Sequence, residues 1–206
     1  MNRFFRNVRM YRIHSQWPGT EEALSEVLEN AAFKPCGAFS ERSGGFEPPV
    51  TGAGDLLARR VSGADLLQLR IQTRVLPPAA VQEALAVRIE SFKQRTHTEP
   101  NRAEKRDLKD EVYSELLPQA LLKSDRVQAI MLPQERVLIV GSASENVADY
   151  FMDALKRAMV TFQYAPVAFK TPPQEMIKRL FMGSASEHFR MGRECRMRDP
   201  ADTRSS

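Results

Sequence analysis

Four acids, Asp107, Asp110, Glu111 and Glu115, recur at helical spacing, a pattern that could gather carboxylates around a magnesium ion. Arg106 and Lys109 interleave them, and mixed charge of this kind describes a solvated helix face instead. His188 stands two residues after Ser186, and Asp149 or Asp153 would complete a nucleophilic triad on paper. With three histidines and many serines, such coincidences are common. GSASE occurs twice, at Gly141 to Glu145 and at Gly183 to Glu187. A phosphate cradle would need GxxxxGK or GxGxxG, and the chain has neither. A nucleophile elbow would need glycine where Glu145 and Glu187 stand, whereas a serine three residues before a glutamate is ordinary helix-start chemistry. Cys36 and Cys195 are the only cysteines, without a CxxC or a histidine at ligand spacing, so no disulfide framework or zinc site is expected. These residues imply a protein that is not an enzyme and that needs no cofactor or metal.

Composition permits a real core: 206 residues, 42% of them hydrophobic. No apolar run is long enough to cross a bilayer, and arginines interrupt the N-terminal MNRFFRNVRMYR, so a cytoplasmic protein without a membrane partner is expected. A net charge of +4 permits a polyanionic partner without requiring one. Arg3, Arg6, Arg9 and Arg12 crowd the start, and residues 190 to 204 are again rich in arginine. On a strand Arg6 and Arg12 share one face while Arg3 and Arg9 take the other, so the four cannot meet a single phosphate backbone. Charged strand edges that resist aggregation are the other reading of this comb.

The elements that must position these residues are legible from periodicity and punctuation. Residues 4 to 13 alternate as a strand, and Thr20 with Glu21 and Glu22 begins a helix. A Gly, Ser and Pro-rich loop spans Pro35 to Gly54. Residues 55 to 61 and 64 to 76 form a hairpin around Ser62-Gly63. Pro77-Pro78 ends it, and Val81, Leu85, Val87, Ile89 and Phe92 mark a helix. Asn101 and Glu104 form a capping box for a second helix, whose apolar stripe is Leu108, Val112 and Leu116. Val127 to Leu132 and Arg136 to Val140 read as strands, Ser144 to Val160 as a helix, and the chain ends with a short strand, a helix near Pro173 to Phe181 and an arginine-rich strand. The fold class is α+β: a strand-rich central domain beginning at 1–76, an inserted tip module at 77–164, and a return segment at 165–206.

Pro118 should stop the second helix, because a proline ring clashes with the preceding turn. The Leu121-Leu122 tip beyond it, bounded by Lys123 and Arg126, either turns inward over the helix pair or projects as a loop. The sequence resembles the RdgC family along nearly its whole length, through AFKPCG (32–37), VLPPAAVQEAL (75–85), EKRDLKDEVYSELLPQA (104–120), SASENVAD (142–149) and GRECRMRDP (192–200). The resemblance implies a non-enzymatic, nucleoid-associated protein that forms a ring-shaped homodimer around double-stranded DNA with little sequence preference and restrains RecA-promoted recombination. It implies too that the module pairs with its twin through the tip, and that the stretch after the proline reaches the DNA. The DNA-binding residues so implied are Gln119, Leu121, Lys123 and Arg126, with Arg95 and Arg102 between the module helices.

The chain departs from the family in two ways. Family members typically carry Arg-Ala-Phe after the proline, where Gln119-Ala120-Leu121 stands here, and a basic stretch between the helices is replaced by His97-Thr98-Glu99. Leucine can still act as an apolar wedge. Family chains also continue well beyond the block ending at Pro200, so an open clasp held by tip pairing is expected, or an interaction module that has lost DNA binding and pairs with a full-length relative.

Overall fold

In RMYRI, Tyr11 and Ile13 are buried and Arg12 is exposed, the alternation of a strand with one covered face, and the segment is β1 (Arg9–Ile13). The computed structural model describes residues 5–50, 52, 54–168 and 170–183. The Thr20 hydroxyl accepts the Ala23 amide at 3.2 Å and so caps α1 (Glu21–Glu29). Strands β2 (Arg42–Glu47), β3 (Ala58–Val61) and β4 (Ala64–Val75) follow. Ser62 and Gly63 both have positive φ, 50° and 83°, as a hairpin with the native twist requires. Next come α2 (Pro78–Thr96), α3 (Arg102–Leu116), a 3₁₀ turn (Leu117–Gln119), β5 (Leu121–Leu132), β6 (Val137–Val140), α4 (Glu145–Ala158) and β7 (Tyr164–Pro166).

The strands build one antiparallel sheet in the order β2-β4-β5-β6-β1-β7, and the α+β class is borne out. β2 and β3 lie end to end along one edge of β4, opposite Gln68–Thr73 and Ala64–Leu67 respectively. Leu67, Leu69 and Ile71 of β4 share a face with Val127, Ala129 and Met131 of β5 and with Leu138 and Val140 of β6. Leu24 and Leu28 of α1 and Phe151, Met152 and Leu155 of α4 belong to the same core. Phe46 meets Phe151 edge to face, with centroids 5.6 Å apart. Each such side chain contributes about 1.5–3 kcal/mol by burial. Asp65, fully buried, is held by a fork from Arg60 (Nε 2.6 Å, Nη2 2.8 Å) and by the Trp17 indole N–H at 2.8 Å. Three donors meet this carboxylate, which offsets much of the desolvation of a buried charge.

Residues 77–120, the helical pair and its 3₁₀ turn, leave the sheet; β5, β6 and α4, which the sequence reading groups with that pair, return to it. The chain from residue 167 onward forms a separate unit, in which α5 (Pro173–Phe181) exposes Met176, Ile177 and Phe181. The expected arginine-rich strand lies outside the described residues.

β2 falls within the segment expected to be a loop. RSGGFE hides the strand because two adjacent glycines suppress strand propensity, yet both are needed for close packing. A Cβ on Gly44 would enter the Tyr150 ring, and one on Gly45 would lie 2.5 Å from the Ala32 carbonyl and the Phe33 nitrogen. Gly45→Ala should therefore lower unfolding free energy by about 1–3 kcal/mol in a denaturant titration, as overpacking against backbone does. Gly19→Ala, with no neighbour within 4 Å of the added carbon, should stay within about 0.5 kcal/mol.

Candidate nucleic-acid interface

α3 begins with the expected capping box: Asn101 Oδ1 accepts the amides of Ala103 and Glu104 at 2.9 and 3.0 Å, and Glu104 accepts the Asn101 amide at 2.7 Å. Val112 is buried, and Leu108 and Leu116 are half-buried, on the stripe that the spacing predicts. The four acids of this helix are exposed; Asp110 faces Arg106 and Glu115 pairs with Arg88 across the helical pair. Among the described residues no group of three or more His, Cys, Asp or Glu could hold a metal ion.

At Pro118 the helix tightens into the 3₁₀ turn, leaving main-chain carbonyls without helical partners. The Arg74 guanidinium takes them up: Nη1 donates to the carbonyls of Pro118 at 3.0 Å, Leu117 at 3.1 Å and Ala120 at 3.4 Å, while Nε donates to Gly37 at 3.1 Å. One side chain of β4 therefore caps the end of the helical pair and anchors AFKPCG.

The sequence reading expects a projecting loop after Pro118; the structure has a strand. Leu121 pairs opposite Val75, Lys123 opposite Thr73 and Arg126 opposite Arg70, continuing the β4–β5 ladder to its end. Backbone groups on the open edge of β4 outweigh the polar composition of LKSDR, because the ladder satisfies them. Alternation then puts Leu121 and Lys123 on one face and Leu122, Ser124 and Arg126 on the other. Leu121 is 77% exposed, Lys123 pairs with Asp125 at 3.0 Å, and Gln119 is exposed in the 3₁₀ turn. Arg95 and Arg102 lie at the far end of the helical pair, a helix length of about 22 to 28 Å away at 1.5 Å per residue. There the Lys93 ammonium bonds Glu99 at 2.8 Å, which raises the lysine pKa and lowers that of the carboxyl. The six candidate residues thus form a group at the helical turn and a group at the start of β5, itself divided between two faces. Of the N-terminal comb, Arg9 contacts Glu145 of α4 at 3.6 Å and Arg12 takes the opposite face; Arg3 lies outside the described residues.

Residues not singled out from the sequence connect the second group. The Phe33 ring lies 4.5 Å from the Arg70 guanidinium, the Cys36 amide donates to Gln72 Oε1 at 2.8 Å, and Gly37 accepts from Arg74. Three successive same-face residues of β4 are met by one motif. Gln72 and Arg70 donate to Ser124 Oγ at 3.3 and 3.1 Å, and Arg126 Nε donates to Glu47 Oε1 at 2.6 Å. Only AFKPCG, one of the blocks that resemble the family, signalled this strip; the placement of Arg70 opposite Arg126 is set by register alone.

Together these features define an α+β protein whose central sheet carries a donor-rich strip beside an inserted helical pair. The family model described as "Putative exonuclease, RdgC" matches residues 3–206, and the chain belongs to the RdgC family. Proteins named "Recombination-associated protein RdgC" from Shewanella oneidensis, Shewanella sp. strain ANA-3 and Shewanella baltica are each 26% identical to it over 200 residues, or 97% of this chain. The chain spans 66% of the length of those relatives.

Arg74→Ala should unpair the carbonyls at Leu117, Pro118 and Ala120 together, costing about 1–3 kcal/mol. Hydrogen exchange should rise at the amides of Ala120 and Leu121 before the sheet core opens; unchanged protection there would show that water replaces the guanidinium without loss.

Proposed function

We propose that this chain is a sequence-nonspecific double-stranded DNA-binding protein, nucleoid-associated, that restrains RecA-dependent recombination. The observation that carries the reading is the family match over residues 3–206, together with relatives named for recombination. The geometry supports it with exposed Gln119 at the 3₁₀ turn, with Lys123 beside the exposed Leu121 on one face of β5 and Arg126 on the other, and with Arg95 and Arg102 at the far end of the helical pair. Such groups hold a duplex by neutralising phosphates, without reading base edges. Leu121 is suited to press an apolar side chain against the duplex. In this reading two copies pair through the helical tip module into a ring-shaped homodimer, with the sheet facing the DNA.

The exposed apolar neighbours Val75, Leu121 and Leu122 favour a second reading, an interaction module that pairs with a longer relative and does not hold DNA. Gel filtration with and without duplex separates the two: a mass shift on adding DNA supports the first, and a DNA-independent mixed dimer the second. The family description mentions an exonuclease, but the reading assigns no catalysis to this chain. Nucleotide release from a duplex with magnesium or manganese, lost on Asp110→Asn, would replace it.

The direct test is anisotropy of a short fluorescent duplex at several salt concentrations. Each phosphate neutralised contributes about 0.9 to the negative slope of log K against log salt. Replacing Lys123 and Arg126 with alanine should make the slope shallower by about 1 to 2. Absence of binding at low salt would overturn the reading.

A further inference from the structure

Arg70 and Arg126 stand directly opposite each other on β4 and β5, on the same face of the sheet. Like charges at directly opposed positions destabilise a sheet. Glu47, on neighbouring β2, lies between them: Oε1 accepts Arg126 Nε at 2.6 Å and Gln68 Nε2 at 2.9 Å, while Oε2 lies 3.8 Å from Arg70 Nη1. Two guanidinium groups thus share one carboxylate, leaving the cluster with a net positive charge. The Glu47 side chain is 16% exposed, while those of Arg70 and Arg126 are 29% and 55% exposed. Ser124 accepts from Arg70 and Gln72, and Phe33 covers one side of Arg70. The guanidinium of Arg70 is therefore fixed on one side by a ring and on another by a hydroxyl, and its remaining donor turns toward the shared carboxylate.

We propose that Arg70 and Arg126 form a phosphate-binding position on the sheet face, and that Glu47 occupies it as an internal stand-in for the phosphate. A carboxylate held by guanidinium groups presents two anionic oxygens to planar donor forks, the arrangement that a phosphodiester also satisfies. Binding would exchange one anion for another: the phosphate takes Arg126 Nε and Arg70 Nη1, and Glu47 keeps its bond to Gln68. The exchange leaves no guanidinium unpaired in either state. It also makes affinity depend on how easily one carboxylate moves aside. This inference rests on the DNA-binding reading for the identity of the ligand, but not for the existence of the anion position.

Glu47→Gln keeps an oxygen that can accept the hydrogen bond from Gln68 Nε2 and removes the competing charge. It should tighten duplex binding about threefold to tenfold at fixed salt and steepen the salt slope by about 1, one phosphate contact. Asp153→Asn makes the same charge change on α4, where Asp153 pairs with Lys156, and should alter affinity less than about twofold, since exposed charges at a distance are screened. Glu47→Gln combined with Arg126→Gln should lose the gain. An effect of Glu47→Gln no larger than that of Asp153→Asn would overturn the proposal. If the wild-type chain binds no duplex, the DNA reading fails and pyrophosphate decides the rest: tighter binding by Glu47→Gln than by wild type, lost with Arg126→Gln, upholds the anion position, and equal binding overturns it. Should the variant fail to fold, the wild-type chain gives the answer by nuclear magnetic resonance. The Arg126 Nε–H signal should move on adding duplex or pyrophosphate while that of Arg42, stacked on Tyr150 at 3.8 Å, stays in place; an unmoved Arg126 signal at saturation counts against the site.

Discussion

The constraint on which the rest of the structure depends is the unbroken register between β4 and β5, from Asp65 opposite Met131 to Val75 opposite Leu121. Two helices and a 3₁₀ turn intervene, and the chain must return to the residue opposite the one it left. A slip of one residue would turn Val127, Ala129 and Met131 out of the core and bring Gln128 and Arg126 in. The return is made within Pro118, Gln119 and Ala120, too few residues for a loop to absorb error. Pro118 fixes where the helix stops, and Arg74 fixes where the freed carbonyls point. The capping of a helical insertion and the register of the sheet are therefore one problem, solved by a side chain of the strand from which the insertion departs.

β4 itself serves two purposes with alternate residues. Leu67, Leu69 and Ile71 face α1 and α4, and Arg70, Gln72 and Arg74 face the segment from Phe33 to Gly37. A covered sheet face is ordinarily apolar, because each unpaired buried polar group costs about 1–3 kcal/mol. Here each of the three finds a specific partner in that segment, a ring, an amide or a carbonyl. Polar pairing of this kind is directional, so it holds the segment in one place where an apolar contact would allow it to slide. Gly45 is what lets the segment come close enough, since its backbone crosses where a side chain would stand.

Local signals in the sequence were reliable where the physics is local. The Thr20 cap, the Asn101 and Glu104 box, the Ser62-Gly63 turn and the apolar face of α4 each depend on residues within a few positions, and each is present. β2 was not legible, because its glycines answer to Tyr150 and Ala32 and to nothing in their own neighbourhood. The strand from Leu121 to Arg126 was not legible either, because its reason for being extended is β4. Of the candidate interface, Arg126 and Lys123 were found through resemblance to a family, whereas Glu47, Arg70 and Arg74 act across separations that composition does not encode. Their roles follow from register, and register is a property of the assembled sheet.

The placement of acids changes what the basic residues can do. Lys123 is paired with Asp125, Arg126 with Glu47, Lys93 with Glu99 and Arg88 with Glu115. A polyanion approaching any of these four cations finds a partner already in place, and must exchange for a carboxylate there. Exchange releases less free energy than neutralising a bare cation, and the exposed pairs it breaks are individually worth only about 0–1 kcal/mol. For the exposed pairs the balance would lie close to zero, so in the proposed binding affinity would grow from several small surpluses and be lost with a few substitutions. For the proposed duplex binding, attraction for phosphate would therefore depend on which of these carboxylates can swing away. That property resides in the geometry of Glu47, Asp125, Glu99 and Glu115 as much as in the arginines and lysines beside them.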